Sequence, residues 1–272
     1  VSKNFQIKCD GSWNHYEGTF TVDTTANDLR FALLLPHKGK VYIDFVSMFP
    51  ENTFCGHKNG LREDVAGMLR DLRPDFVRWP GGCIVEGLTM DNRIKWKETI
   101  GDIVKRPGEY NLWGYRSTYG FGYHEFLQFC EDIDADGMFV CNAGMSCLFR
   151  NGDYWEEENR IDNLIQDALD AIEYALGDTT TVYGKRRAEN GHAAPFPLKY
   201  VEVGNENVGL RYVKNYNRFY KAIKENHIQE LSLSDEGCLK YSYTPKDDTV
   251  LYLREEWTSQ DLQLKHLNIM KN

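Results

Sequence analysis

Three times along this chain an apolar run of strand length stops at a small or polar cluster. Residues 75 to 79 close on Pro80-Gly81-Gly82, residues 138 to 141 on Asn142-Ala143-Gly144, and residues 198 to 203 on Gly204-Asn205-Glu206. β-Branched and aromatic residues favour the extended conformation of such runs. Helical periodicity lies between them. Leu61, Val65, Met68, Leu69 and Leu72 fall on one face before Pro74, and Phe126, Leu127 and Cys130 face inward from a helix over 123–133. Ile161, Leu164, Ile165, Ala168, Leu169, Ile172 and Leu176 mark a long amphipathic helix, and 212–223 a further one. Helix and strand in alternation predict a parallel sheet of the α/β class. Polar residues at the same end of successive parallel strands then converge on one surface, where α/β barrels keep their chemistry. Glu206, where the third strand meets its loop, is the leading catalytic candidate. A solvated glutamate in a strand-to-helix turn is the other reading of that residue, and these residues alone leave both open.

The first 50 residues obey a different period. Phe5 and Ile7, then Phe20 and Val22 with Leu29, Phe31, Leu33 and Leu35, then Val41, Ile43, Phe45 and Phe49 alternate with their neighbours. Period two predicts strands of an antiparallel sheet with one face buried. Turn residues separate the runs at Asp10-Gly11, at 25–28 and at 37–40. Three or four strands do not close a sandwich, so 1–50 is read as the last strands of one, 51–230 as an α/β unit and 231–272 as an unassigned tail.

Charge and motif content exclude several classes. The 272 residues carry a formal charge of -9, and no Lys/Arg cluster offers a phosphate backbone a footprint, so no nucleic-acid partner is expected. No run is apolar and long enough to span a membrane. The seven cysteines are scattered, with no Cys-x-x-Cys pair, which predicts reduced, buried thiols rather than a disulfide scaffold or a zinc ribbon. The seven histidines are dispersed and no His-Glu-x-x-His occurs, so neither a metal centre nor a cofactor is expected. Glycine fingerprints for dinucleotides or nucleoside triphosphates are missing too.

The residues also resemble a known family. The run from Phe76 to Gly87 is similar to the second barrel strand of α-L-arabinofuranosidases of glycoside hydrolase family 51, and 122–129 to the helix after it. Residues 139–144 resemble the family's third strand and 200–206 its fourth. The run 39–50 resembles the end of the carbohydrate-binding-type sandwich in one branch of that family. The resemblance runs in order over residues 15 to 225, which is far more specific than one motif.

The resemblance implies a (β/α)8 barrel with strands two to four clear, preceded by the last strands of a β-sandwich. It implies a retaining glycosidase that releases α-L-arabinofuranosyl residues from glycans, with two carboxyl groups about 5 Å apart. Glu206 matches the acid/base position, Asn205 a residue bonding a sugar hydroxyl, and Asn142 another polar position of the sugar subsite. Cys83 stands where many members carry Asn, and its branch often has Cys. For Trp96, packing on the sugar and packing inside the barrel are both open. A periplasmic or extracellular place of action is expected, and no oligomeric state is implied.

The resemblance also has a gap. The residues after Glu206 leave room for about two strand-helix units of ~30 residues, so the chain reads as a fragment and the family's nucleophile on strand seven as missing from it. Glu256, in a Glu-Trp strand ending, is a formal substitute that arrives too early. Two other readings stand beside this one: a catalytically silent carbohydrate-binding chain, and an unrelated barrel enzyme. A partial barrel is further expected to associate, to aggregate, or to be covered by its own tail, since open sheet edges and apolar faces template contact.

Overall fold

Residues 47–272 and 1–46 form two separate units. The computed structural model describes residues 2–25 and 30–226, together with the backbone of 238–245 and 251–257.

In the larger unit the elements run α1 (Glu63–Asp71), β1 (Phe76–Trp79), α2 (Gly82–Glu86), β2 (Glu109–Tyr110), β3 (Arg116–Ser117), α3 (Tyr123–Asp132), β4 (Asp136–Cys141), α4 (Glu158–Leu176), α5 (Val182–Glu189), β5 (Leu198–Val203) and α6 (Leu210–Glu225). Strands β1, β4 and β5 make one parallel sheet with β4 in the middle. Trp79 pairs with Phe139, and Cys141 with Val203, so the three polar clusters emerge from one edge. The alternation therefore folds as read. The short α2, the small antiparallel β2–β3 pair and α5 were not foreseen.

The core forms where α3 and α4 cover the sheet. Trp79 stacks on Phe126 and Phe139, and Tyr123 packs among them. Phe126, Leu127 and Cys130 of α3 are fully buried, as the periodicity of 123–133 requires. From α4, Ile161, Leu164, Ile165, Ala168 and Ile172 are buried against the same cluster. Each of these leucine and isoleucine side chains stabilises the fold by roughly 2 kcal/mol of apolar transfer, and Ala168 by less.

Two expectations need correction. The apolar stripe of α1 does not point inward: Ala66 is its buried residue, at a small cluster with Phe54 and Phe129, while Val65, Met68 and Leu69 are exposed. Periodicity identifies a stripe but not whether a neighbour covers it, and none of the described residues does. The strands expected in 1–50 are likewise not formed. Among the described residues of 2–46 there is no strand, and Phe5, Ile7, Phe20, Phe31 and Ile43 are exposed. Alternation marks which side chains could share a face, but a strand also needs a partner for its backbone donors and acceptors.

Two further strands, β6 (Cys238–Pro245) and β7 (Leu251–Trp257), pair antiparallel in a sheet of their own, with Glu256 opposite Lys240. Glu256 therefore does not end a strand of the parallel sheet, which corrects its candidacy as a strand-seven nucleophile. The rest of the 231–272 tail lies outside the described residues.

Candidate active site at the carboxyl edge of the sheet

The site is built on a charge inside a strand. Arg78 sits in β1 between Val77 and Trp79 with about a third of its side chain exposed, and a guanidinium so placed can reach for a carboxylate partner. It finds one two strands away: Arg78 Nε and Nη2 donate to the two carboxylate oxygens of Glu202 on β5, each at 2.6 Å. Two inter-strand steps come to about 10 Å, a span that only two long side chains bridge. The fork of Arg and the planar carboxylate make this pair bidentate and directional. Its bond to Glu202 holds the Arg78 guanidinium above its ordinary range.

Beyond the bridge the network passes to the end of β5. Arg78 Nη2 also donates to Asn205 Oδ1 at 2.8 Å, and Asn205 Nδ2 donates to Glu86 Oε2 at 3.2 Å. Asn207 Nδ2 donates to the other oxygen of Glu86 at 2.9 Å. Asn205, Asn207 and Glu86 are all buried. Burial pushes the Glu86 carboxyl up, Asn205 opposes that push, and the charge of Glu206 adds to it. The turn that carries these groups depends on Gly204, at φ 79°, where a Cβ would run into the Asn207 amide oxygen. Its backbone N–H donates to Cys141 O at 2.7 Å, tying the turn to the end of β4.

Glu206 stands apart from this buried network. It is exposed, and its carboxylate makes no hydrogen bond or ion pair with the described residues. Its backbone is left-handed, at φ 49°. That conformation costs a non-glycine residue about 1–3 kcal/mol, and such outliers concentrate at functional sites. A free carboxyl, held out over a rigid base of hydrogen-bonded amides, can give and take a proton at whatever lies above it.

The sequence-derived candidates fall into three groups. Asn205 and Glu206 come together with Cys83, which is half-buried at the start of α2 and shares the electrostatics of Glu86 and Glu206. Asn142 is at the same edge but is spent. Its Nδ2 donates to Val85 O at 2.9 Å and Met145 O at 3.1 Å, and its Oδ1 accepts from Gly144 N and Met145 N. With both donor hydrogens used and two bonds accepted, it holds the β4 loop instead of a sugar. Trp96 resolves to packing: it is 5% exposed, its Nε1 donates to Asp167 O at 2.9 Å, and Tyr123, Tyr174 and Tyr183 surround it.

Sequence reading missed Arg78, Glu86, Glu202 and Asn207. The signal was available for one pair: an Arg in a run that reads as buried demands an acid on a nearby strand, and Glu202 interrupts such a run. Nothing local marked Glu86 or Asn207, since their role depends on how α2 meets the β5 turn.

Comparison with known proteins places the chain in a family. The family model described as the alpha-L-arabinofuranosidase 1 domain matches residues 68–265. The chain is 40% identical over 216 residues to alpha-L-arabinofuranosidase 2 of Arabidopsis thaliana, covering 79% of this chain and 31% of that protein. It is 36% identical over 244 residues to an extracellular exo-alpha-L-arabinofuranosidase of Streptomyces chartreusis, covering 85% and 29%. An arabinose-bound family 51 α-L-arabinofuranosidase superposes with a TM-score of 0.60 at 35% identity, covering 66% of this chain and 28% of that one. The arabinose complex of the Thermotoga maritima α-L-arabinofuranosidase superposes with a TM-score of 0.51 at 25% identity, covering 64% and 33%. The chain thus spans about a third of the length of the relatives it matches.

Proposed function

The chain belongs to the α-L-arabinofuranosidase family, its parallel sheet being part of that family's (β/α)8 barrel, and from that premise we propose that it carries the acid/base half of a retaining arabinofuranosidase site. The observation that carries this reading is Glu206: a free carboxyl in a left-handed turn at the carboxyl edge of the sheet. As an acid it protonates the oxygen leaving a terminal α-L-arabinofuranosyl residue. As a carboxylate it then takes a proton from the water that releases the sugar. Asn205 keeps one amide hydrogen and room on its oxygen after bonding Glu86 and Arg78, which suits it to a sugar hydroxyl. Cys83 lines the same subsite. The substrate is an arabinose-containing glycan, and the place of action extracellular, as the name of the Streptomyces relative states of that protein.

A second reading has its own observation. The two carboxylates nearest this network are occupied, Glu202 by Arg78 and Glu86 by two amides. Neither is a nucleophile as held, so among the described residues the site binds a sugar without the partner needed for turnover. We assign residues 51–230 to the catalytic barrel. We assign 1–50 to the C-terminal part of a carbohydrate-binding-type sandwich.

The experiment compares an aryl α-L-arabinofuranoside carrying a good leaving group with one carrying a poor leaving group. Replacing Glu206 by Ala should slow the poor one by roughly 100- to 10,000-fold and the good one far less. Azide, which needs no general base, should restore release from the glycosyl-enzyme. Equal loss on both substrates without azide rescue would remove Glu206 from the acid/base role. Arabinose binding without turnover by the parent chain would favour the second reading.

A further inference from the structure

The fold brings together two thiols that are 64 positions apart in sequence. Cys83 Sγ, Cys147 Sγ and a carboxylate oxygen of Glu86 all lie within 4.8 Å of one another. The three residues come from two segments that are locked together. Cys83 and Glu86 are one turn apart on α2, and Cys147 is on the loop after β4. Cys147 N donates to Gly87 O at 3.0 Å, and Asn142 Nδ2 donates to Val85 O at 2.9 Å, so the loop is pinned to both sides of Glu86. Cys147 O in turn accepts from the N–H groups of Arg150, Asn151 and Gly152, which fixes its backbone. Glu86 and Cys147 are each 1% exposed, and Cys83 is half-buried, leaving approach from its side.

We propose that Cys83, Cys147 and Glu86 bind a soft divalent cation of the zinc and cadmium class. Two sulfurs select a thiophilic metal over calcium or magnesium. Ligands around tetrahedral zinc at ~2.3 Å lie about 3.8 Å apart, so the three atoms need to close by about 1 Å at most. Three protein ligands leave the fourth position open, as in zinc sites that take a further group. Asn205 and Asn207 already orient the Glu86 carboxylate from outside, the part that outer hydrogen-bond partners play at metal sites. On binding, each thiol loses its proton to solvent and each sulfur donates an electron pair. The carboxylate donates a third, so one cation replaces two protons without redox change. Glu86 is also the anchor of Asn205. Occupancy therefore opposes sugar binding, a consequence that rests on the arabinose-site reading while the cation site itself does not.

The test titrates the full chain, kept reduced, with cadmium chloride after Cys9, Cys55 and Cys238 are changed to Ser. Cys9 and Cys55 are exposed and would bind metal on their own account. The expected result is one cadmium per chain with an ultraviolet thiolate-to-cadmium band. The band should be lost in Cys147→Ser and in Cys83→Ser, the second being the safer variant because Cys83 is not fully buried. Asn207→Ala should weaken cadmium binding roughly tenfold. A folded parent without the band, or a band unchanged in Cys83→Ser, overturns the site. L-Arabinose should weaken cadmium binding severalfold. Cadmium binding indifferent to arabinose would overturn the antagonism and leave the cation site standing. Arabinose binding without a cadmium band would overturn the cation site and leave the sugar reading standing.

Discussion

The ends of β4 and β5 carry the same signal in sequence, a strand closing on asparagine and glycine, and do opposite things with it. Asn142 turns inward and spends its whole hydrogen-bonding capacity on backbone atoms of its own loop and of α2. Asn205 is equally buried, yet its partners are side chains that have other partners of their own. Arg78 keeps Glu202, and Glu86 keeps Asn207. One asparagine is a keystone for backbone, and the other is a member of a shared network with capacity left. Burial alone does not separate a structural amide from a ligand-binding one. The count of unspent donors and acceptors does.

That difference is open to measurement. The largest expected effect is on the closed end: Asn142→Ala strands two buried carbonyls and two N–H groups and should destabilise the chain by about 4 kcal/mol, read from the urea midpoint. A loss below about 1 kcal/mol would mean that the loop does not depend on it. Acid gives the next largest effect and sets the baseline for any comparison made at low pH. Burial pulls the His124 imidazole down to about 4 from its ordinary 6.5, so the fold favours its neutral form. The stability it contributes is complete above pH 6.5 and falls as the pH drops towards 4, by ~3 kcal/mol in all. His124→Gln should flatten that slope between these two pH values, and an unchanged slope would assign it to other groups.

The open end should respond more gently. Asn205→Ala leaves Arg78 bonded to Glu202 and Glu86 bonded to Asn207, so a loss of only about 1 kcal/mol is expected, together with loss of arabinose binding by calorimetry. Equal stability losses at Asn142 and Asn205 would erase the distinction drawn between the two ends. The smallest effect has the opposite sign. Glu206→Gly relieves a left-handed backbone and should raise stability by roughly 1 kcal/mol while removing the acid/base group. A destabilised variant would show that the carboxylate is held by contacts of its own.

Much of the α/β unit was legible because its signals are local. The runs at 75–79, 138–141 and 198–203, and the inward faces of α3 and α4, emerge from periodicity and from the clusters that stop each strand. The place of Glu206 at the carboxyl edge was legible for the same reason, being a polar position where a strand ends. Trp96 and Asn142 were not: the ring is enclosed by partners more than 20 positions away, and the amide is used up by the conformation of its own loop together with Val85. Residues 1–50 mark the opposite limit. Their period is regular, but pairing is a property of two strands, and the alternation of one describes only its half. The nearness of Cys83 to Cys147 was not legible, because 64 positions separate them in sequence and only the fold supplies the proximity.

The Arg78–Glu202 pair reaches from one outer strand of the sheet to the other over the middle one. Strands that share no backbone bonds are thereby tied into one opening unit at their carboxyl ends. Slow hydrogen exchange should show this as matched protection of amides near Trp79 and Val203, rising and falling together when either charge is removed. A sheet that frays one strand at a time would lose its sugar-facing turn well before it unfolds. A sheet laced across its top keeps or loses all three strand ends at once, so the polypeptide presents either a whole half-site or none.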